Sequence, residues 1–354
     1  MESKIAFLEN AWYVAALSTE LGAEALFHRK ILDVNVLIYR KQDGTPVALR
    51  DRCPHRFAPL HMGKRVGDDV VCQYHGLRFD CSGKCKHSPH GNGQIPKASD
   101  VRSFPLVERD GFLWIWPGDP ALAEASSIPD CSEYSRSPKS AVAHVYMHNT
   151  CNYELLADNI MDLTHIDHLH GPLINTGGKL SPLIPNVTEV DGKVVIRWDW
   201  LAEPAMPLLG EHLAEPKAPA KMFFEVVWHA PAVMRLRVGA VQGSDDFVKD
   251  GVVLFDYHIM TPESAMSTHY FFASTRNYLT DDAAYNEGKM QGMLGAFTLE
   301  DKPMIEAQQA EMGTHDLWAL KPVLLSSDAG AIRVRRVLKA MIEAEQGARL
   351  RAVS

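Results

Sequence analysis

Cys53-Pro54-His55-Arg56-Phe57-Ala58-Pro59-Leu60 and Cys72-Gln73-Tyr74-His75-Gly76-Leu77 are the two stretches on which the fold of the first third of this chain turns. Together they read C-x-H, sixteen intervening residues, then C-x-x-H. Each half closes a strand-like run and enters a turn. Outward from them, Val34-Asn35-Val36-Leu37-Ile38-Tyr39-Arg40, Val70-Val71-Cys72-Gln73-Tyr74 and Phe112-Leu113-Trp114-Ile115-Trp116 are short apolar runs bounded by turn residues, with Gly44, Pro46, Gly63, Gly67, Gly83, Gly91 and Gly93 between them. This predicts an all-β N-terminal domain. Pro117-Gly118-Asp119-Pro120 then interrupts the pattern, and the 354-residue length suits two domains, 1–122 and 123–354.

Two thiolates and two imidazoles in this order are the ligand set of a Rieske [2Fe–2S] cluster. Thiolates hold one iron, and two histidines replace thiolates on the other, which raises the reduction potential. Cys53, His55, Cys72 and His75 are the candidate ligands. A structural zinc site uses the same residue types, but it usually spaces its cysteines as a close pair, whereas each half here mixes one Cys with one His. Cys81-Ser82-Gly83-Lys84-Cys85 lacks further partners at suitable spacing and reads as two unpaired thiols.

The second constellation is Asp158-Asn159-Ile160-Met161-Asp162-Leu163-Thr164-His165-Ile166-Asp167-His168-Leu169-His170-Gly171-Pro172. Non-haem Fe(II) oxygenases bind iron through two histidines and one carboxylate on one face of the metal, leaving positions open for dioxygen. A helix over residues 154–167 would put Asp158, Asp162 and His165 on one face at i, i+4 and i+7. Continued, it would set His168 beside His165 and turn His170 away. Gly171-Pro172 signals a helix end that would let His170 swing back, so spacing leaves the second histidine open.

Downstream, residues 194–198, 222–227, 252–258 and 269–273 read as strands and residues 281–309 and 331–346 as helices. Strands followed by helices without strict alternation predict an α+β domain built on an antiparallel sheet. The net charge of -8 without a basic stripe argues against nucleic acid as partner. No run approaches the roughly 20 apolar residues that cross a bilayer. Residues 1–10 lack the order of a secretory leader, and six cysteines in a chain of this length suit metal binding over disulfides. The expected location is the cytoplasm.

Taken together, the two motifs resemble the oxygenase components of Rieske non-haem iron oxygenases, and within them the vanillate and dicamba O-demethylase group. The resemblance is also carried by Asn10-Ala11-Trp12-Tyr13-Val14-Ala15, Trp114-Ile115-Trp116-Pro117-Gly118-Asp119, Thr261-Pro262-Glu263 and Leu299-Glu300-Asp301-Lys302. It implies a helix-grip-like catalytic domain. It also implies that His165, His170 and Asp301 bind the mononuclear iron and that Asn159 lies beside it. Asp162 is implied to bridge His75 of one subunit to His165 of its neighbour in a homotrimer. His229 and His258 match positions that hydrogen-bond substrate in the family. Pro303 departs from an uninterrupted helix and predicts a bend or helix start at residues 299–303 that aims Asp301 at the iron.

The activity so implied uses O2 and NAD(P)H electrons delivered by a separate flavin/iron–sulfur reductase, with or without a ferredoxin. Its reaction is O-demethylation of a small methoxylated aromatic acid, with release of formaldehyde. Hydroxylation of an aromatic ring, a methyl group or another side chain is the alternative. A pure electron carrier would leave Asp162, His165, His170 and Asp301 without a role.

Overall fold

Short apolar runs closed by turn residues become short antiparallel strands, and the first third of the chain consists of them. The computed structural model describes residues 7–353, so the leader reading of residues 1–6 lies outside the described residues. One unit contains Glu9–Ile128 and the other contains the chain from Pro129 onward.

The first unit has a three-stranded sheet (Tyr13–Leu17, Phe112–Ile115, Leu106–Arg109) and two four-stranded sheets, one of Phe27–Ile31, Val34–Arg40, Pro46–Arg50 and Ser103–Phe104, the other of Lys64–Val66, Asp69–Val71, Arg78–Phe79 and Cys85–His87. Leu37, Tyr39, Leu49, Leu60, Val70 and Phe79 form a buried core that also contains Cys53, Cys72 and Cys85. The two motif cysteines are therefore part of the packing that holds the unit together. None of the six cysteines forms a disulfide; Cys81 is exposed and Cys85 buried.

The second unit is built on one seven-stranded antiparallel sheet. Its strands are β1 (Ala143–Asn149), β2 (Asn186–Val190), β3 (Lys193–Ala202), β4 (Ala220–His229), β5 (Val233–Val241), β6 (Val252–Ser264) and β7 (Ser267–Arg276), in the order β1-β7-β6-β5-β4-β3-β2. Its main helices are α1 (Tyr153–Met161), α2 (Ala283–Gly295), α3 (Lys302–Met312) and α4 (Ala329–Val353). Helices and strands meet in register. Ile196, Val226, Leu236, Asp256, Ser274 and Ala143 form one cross-strand row. A Cβ on Gly330 of α4 would come within 2.7 Å of Ile196, and Lys289 of α2 reaches Ser274 at 2.6 Å. That face of the sheet is the one the helices cover. Among the described residues no helix is long and apolar enough to cross a membrane.

One helical expectation needs correction and another is met. The helix over 154–167 is not continuous: α1 ends at Met161, Asp162 leaves helical geometry at φ -128°, and a 3-10 turn at Leu163–His165 leads into a short helix at Ile166–Leu169. Asp158, Asp162 and His165 therefore do not share a helix face. Asp162 instead caps the next turn, its carboxylate accepting from the Thr164 N–H at 3.0 Å and hydroxyl at 2.7 Å. At Pro303 the helix start expected within residues 299–303 is found, since α3 begins at Lys302. Residues Ala296–Asp301 form a π-helical segment, and Pro303 falls in the first turn of α3, where a missing N–H costs least. π-Turns inside helices commonly mark functional positions, and Asp301 ends this one.

Asp158 has a structural partner. Arg335 of α4 is buried and grips the Asp158 carboxylate at 2.7–3.0 Å and Glu154 at 2.8 Å. Burial pushes both carboxyls up, and the guanidinium opposes that shift. Removing the cation while leaving the carboxylates costs about 3–5 kcal/mol for a buried pair; the partial exposure of Glu154 and Asp158 places this case at the lower end. Arg335→Met is thus expected to lower the urea midpoint by an amount equivalent to about 3 kcal/mol, and an unchanged midpoint contradicts the clamp.

Candidate metal centres and substrate face

The two motif loops have the same backbone design. Cys53 N–H donates to Ala58 O at 2.9 Å and Phe57 N–H returns to Cys53 O at 2.9 Å. Cys72 N–H donates to Leu77 O at 2.8 Å and Gly76 N–H returns to Cys72 O at 2.9 Å. Each loop closes on a left-handed residue, Phe57 at φ +63° and Gly76 at φ +72°. The repeated turn points both thiols inward and both imidazoles to one place: Cys53 and Cys72 are buried, and the rings of His55 and His75 lie 4.5 Å apart.

Burial pushes the Cys53 thiol up to about 11, with the neighbouring Cys72 adding to it, so the Cys53 thiol stays protonated unless a metal takes it. His75 Nδ1 is buried without a hydrogen-bond partner, an unusual state for a buried polar atom. An orphaned imidazole nitrogen on one loop, with a buried free thiol on each loop, fits a mixed thiolate–imidazole cluster. His90, which sequence reading passed over, donates from Nε2 to the His75 carbonyl at 2.8 Å if that nitrogen carries the proton.

The second centre gathers residues from two distant segments. After the 3-10 turn, the short helix ends at Leu169 and His170 is extended (φ -92°, ψ 152°), which brings it back toward His165. His168 instead meets Ser181 at 3.0 Å. Asp301 arrives from the π-helical segment and is buried. One ligand atom each from His165, His170 and Asp301 fall within 4.8 Å of one another. His165 Nε2 is 3.6 Å from one Asp301 oxygen and His170 Nε2 is 3.4 Å from the other.

Both imidazoles are oriented from behind. His165 Nδ1 donates to the main-chain carbonyl of Asp162 at 2.6 Å, and His170 Nδ1 meets the Glu300 carboxylate at 2.6 Å. A proton held on each Nδ1 leaves the Nε2 lone pairs facing the gap. Burial pulls the His165 imidazole down and pushes the Asp301 carboxyl up, so both groups would gain from a divalent cation placed in the gap. These donors fit a facial two-histidine, one-carboxylate site.

Asn159 Nδ2 lies 3.2 Å from Asp301 Oδ1 and 3.4 Å from His165 Nε2, beside the gap. Within the chain, Asp162 touches His165 through its carbonyl and not its carboxylate. Glu300 was not singled out from the sequence, although it stands next to Asp301 in the Leu299-Glu300-Asp301-Lys302 stretch.

The two histidines expected at the substrate lie on opposite faces of the sheet. His258 is in register with Met234 and Phe272 and faces the helices, its ring 5.8 Å from Phe297 of the π-helical segment. His229 is in register with Val233, which pairs with Ile259. That row alternates with the His258 row, so His229 faces away from the side that carries the triad. Its imidazole is pulled down to about 4 by burial, with Lys193 and Arg235 adding to the shift. His258 is buried and pulled down to about 3 by burial alone. The Tyr270 hydroxyl lies 2.6 Å from His258 Nδ1; donating there, it leaves the ring proton on Nε2, which is buried and has no partner.

Comparison with known proteins agrees with both halves of this geometry. The Rieske [2Fe–2S] domain model matches residues 11–105, and the vanillate O-demethylase oxygenase C-terminal domain model matches residues 149–344. The chain belongs to the Rieske non-haem iron oxygenases, as an oxygenase component. Membership implies an iron–sulfur cluster and a non-haem iron.

Among its relatives, the oxygenase component of dicamba O-demethylase from Stenotrophomonas maltophilia is 38% identical over 96% of this chain and 99% of that protein. The iron–sulfur subunit TsaM1 of the toluene-4-sulfonate monooxygenase system of Comamonas testosteroni is 38% identical over 96% and 99%. The oxygenase component of chloroacetanilide N-alkylformylase from Rhizorhabdus wittichii is 36% identical over 98% and 99%. The crystal structure of dicamba monooxygenase bound to 3,6-dichlorosalicylic acid superposes with a TM-score of 0.86 at 35% identity, covering 97% of this chain and 99% of that one.

Losing the partner that fixes a metal-binding histidine typically costs 10–100-fold in metal affinity. Glu300→Ala is expected to weaken Fe(II) binding at the mononuclear site by about that factor while the visible absorption of the cluster stays unchanged. Equal Fe(II) affinity in the variant, measured by competition with a chelator, contradicts the role given to Glu300.

Proposed function

We propose that this chain is the terminal oxygenase of a multi-component system that O-demethylates a methoxylated aromatic acid of the vanillate type. The net reaction takes Ar–O–CH3, O2, NAD(P)H and a proton to Ar–OH, formaldehyde, water and NAD(P)+. The carrying observation is that His165, His170 and Asp301 converge on one metal-sized gap while His258, on the helix-covered face of the sheet, keeps an unpartnered, buried Nε2. Dicamba O-demethylase at 38% identity supports the reaction type.

Cys53, His55, Cys72 and His75 would hold the cluster, and His165, His170 and Asp301 the iron. When bound, the cluster supplies electrons from the reductase and the iron supplies oxygen activation. The chain's own residues do the rest. His258 Nε2–H, set by Tyr270, donates to the substrate carboxylate or phenol and orients the methyl group. Phe272 and Phe297, with ring centroids 4.8 Å apart, keep that face dry. Hydroxylation of the methyl carbon gives a hemiacetal, whose C–O cleavage releases formaldehyde and the phenol.

Asp162 steadies His165 through its carbonyl. In the homotrimer we propose, its carboxylate meets His75 of a neighbouring subunit and links the two centres. The absence of disulfides and the NAD(P)H requirement suit the cytoplasm. Hydroxylation of an aromatic ring, a methyl group or another side chain is the second reading, favoured by the toluene-4-sulfonate monooxygenase relative at 38% identity, whose named substrate has no methoxy group.

Turnover of vanillate and related methoxybenzoates with NADH and a matched reductase is expected to release one formaldehyde per NADH. Hydroxylated product with the methoxy group intact contradicts the reading. Asp162→Asn is expected to keep both metals and lose NADH-coupled turnover, and full activity in that variant contradicts the bridge.

A further inference from the structure

The helix-covered face of the sheet holds a second polar position beyond His258. Asp256 is two residues from His258 on β6 and points to the same face, as its register partner Ser274 shows. It is 2% exposed, and its Oδ1 is buried without any partner. Lys289 of α2, also buried, donates to Ser274 Oγ at 2.6 Å, and Ser274 is the cross-strand partner of Asp256, whose carboxyl is pushed up by burial with the Lys289 charge opposing. The Lys289 ammonium is pulled down to about 8 by burial, with the Asp256 charge opposing. The Tyr270 phenol, which orients His258, is raised by burial and by the charges of both Asp301 and Asp256. The triad carboxylate, Tyr270, His258 and Asp256 therefore belong to one neighbourhood.

A carboxylate oxygen left bare in a dry interior is costly. The Lys289 charge, held nearby by Ser274, offsets part of that cost. Oδ1 itself is left for something else to fill. Same-face residues i and i+2 on a strand lie about 7 Å apart, comparable with a benzene ring bearing polar groups on opposite sides. His258 Nε2–H is a donor and seeks an acceptor; Asp256 Oδ1 is an acceptor and seeks a donor. A second anionic group at Asp256 would be repelled, and a methyl or halogen would leave the oxygen unpaired.

We propose that Asp256, braced by Ser274 and Lys289, is a specificity-determining residue that accepts a hydrogen bond from a hydroxyl or amino substituent of an aromatic acid whose carboxylate meets His258. The inference rests on the O-demethylase reading above and assigns a residue to the recognition of such a donor across the ring.

The test is calorimetric binding of 4-hydroxy-3-methoxybenzoate and 3-methoxybenzoate to the purified holoenzyme, alongside formaldehyde release from each. A site built to pair with a hydroxyl rejects the analogue that lacks it, so the wild type is expected to bind the hydroxylated acid at least about 10-fold more tightly. In Asp256→Leu/Lys289→Met, which removes both charges together, the preference is expected to fall to within about 2-fold. The wild-type comparison stands even if that variant does not fold. Equal wild-type affinity for the two acids overturns this inference, as does a preference that survives in a folded double variant. Formaldehyde released from both acids with equal kcat/KM overturns it alone and leaves the O-demethylase reading standing. Binding of neither acid, with no formaldehyde from any methoxybenzoate, removes both.

Discussion

A metal-sized gap needs two imidazole lone pairs and a carboxylate pointed at one place, in surroundings dry enough that the groups cannot turn outward to water. In this chain that convergence depends on what holds the far side of each imidazole. His165 is tied to a main-chain carbonyl and His170 to the Glu300 carboxylate. Much of the surrounding structure follows from making those two ties. The helix has to end at Met161 for the Asp162 carbonyl to be available, and the chain has to become extended at His170 for its ring to return. Glu300 and Asp301 are neighbours in sequence that must face the same centre, one touching the back of the His170 ring and the other its front. A π-helical segment widens the turn where that happens.

The sheet supplies the opposite wall, and strand alternation decides what that wall presents. With side chains repeating every second residue, β6 offers Asp256 and His258 to the helices and Tyr257 to the other side. The same rule turns His229 away from the triad. The Arg335 clamp belongs to the same framework, tying α4 to α1, the helix that carries Asn159. A buried charge cluster beside the metal site is expensive to leave incomplete, which makes the terminal helix part of the site's support.

Legibility in the sequence followed locality. The cluster loops could be read residue by residue because Cys, His and turn residues sit within a few positions of one another. Four of the seven strands of the second unit and its long C-terminal helical stretches were legible from periodicity, whereas the strands Ala143–Asn149, Asn186–Val190 and Val233–Val241 were not read. Around His165 the same reasoning failed. Periodicity saw one helix where the chain makes a helix, a 3-10 turn and a second short helix, and it had no means of weighing Asp162 as a cap. The pairings Asp158–Arg335, Asn159–Asp301 and His170–Glu300 join segments far apart in sequence, and no local pattern announces them. Asp301 was named only through family resemblance. The face on which His229 lies depends on strand register, which cannot be counted until the strand ends are known.

Two separate ligand sets in one chain would hold two separate iron centres independently of one another. Anaerobic iron and acid-labile sulfide analysis of the wild type and of His170→Ala, with electron paramagnetic resonance of the reduced proteins, tests this most directly. The account predicts about three irons per wild-type chain. It also predicts the loss of one iron in the variant, with the cluster's resonance and sulfide content unchanged. Zinc in place of iron, or loss of cluster iron and sulfide in His170→Ala, would contradict it.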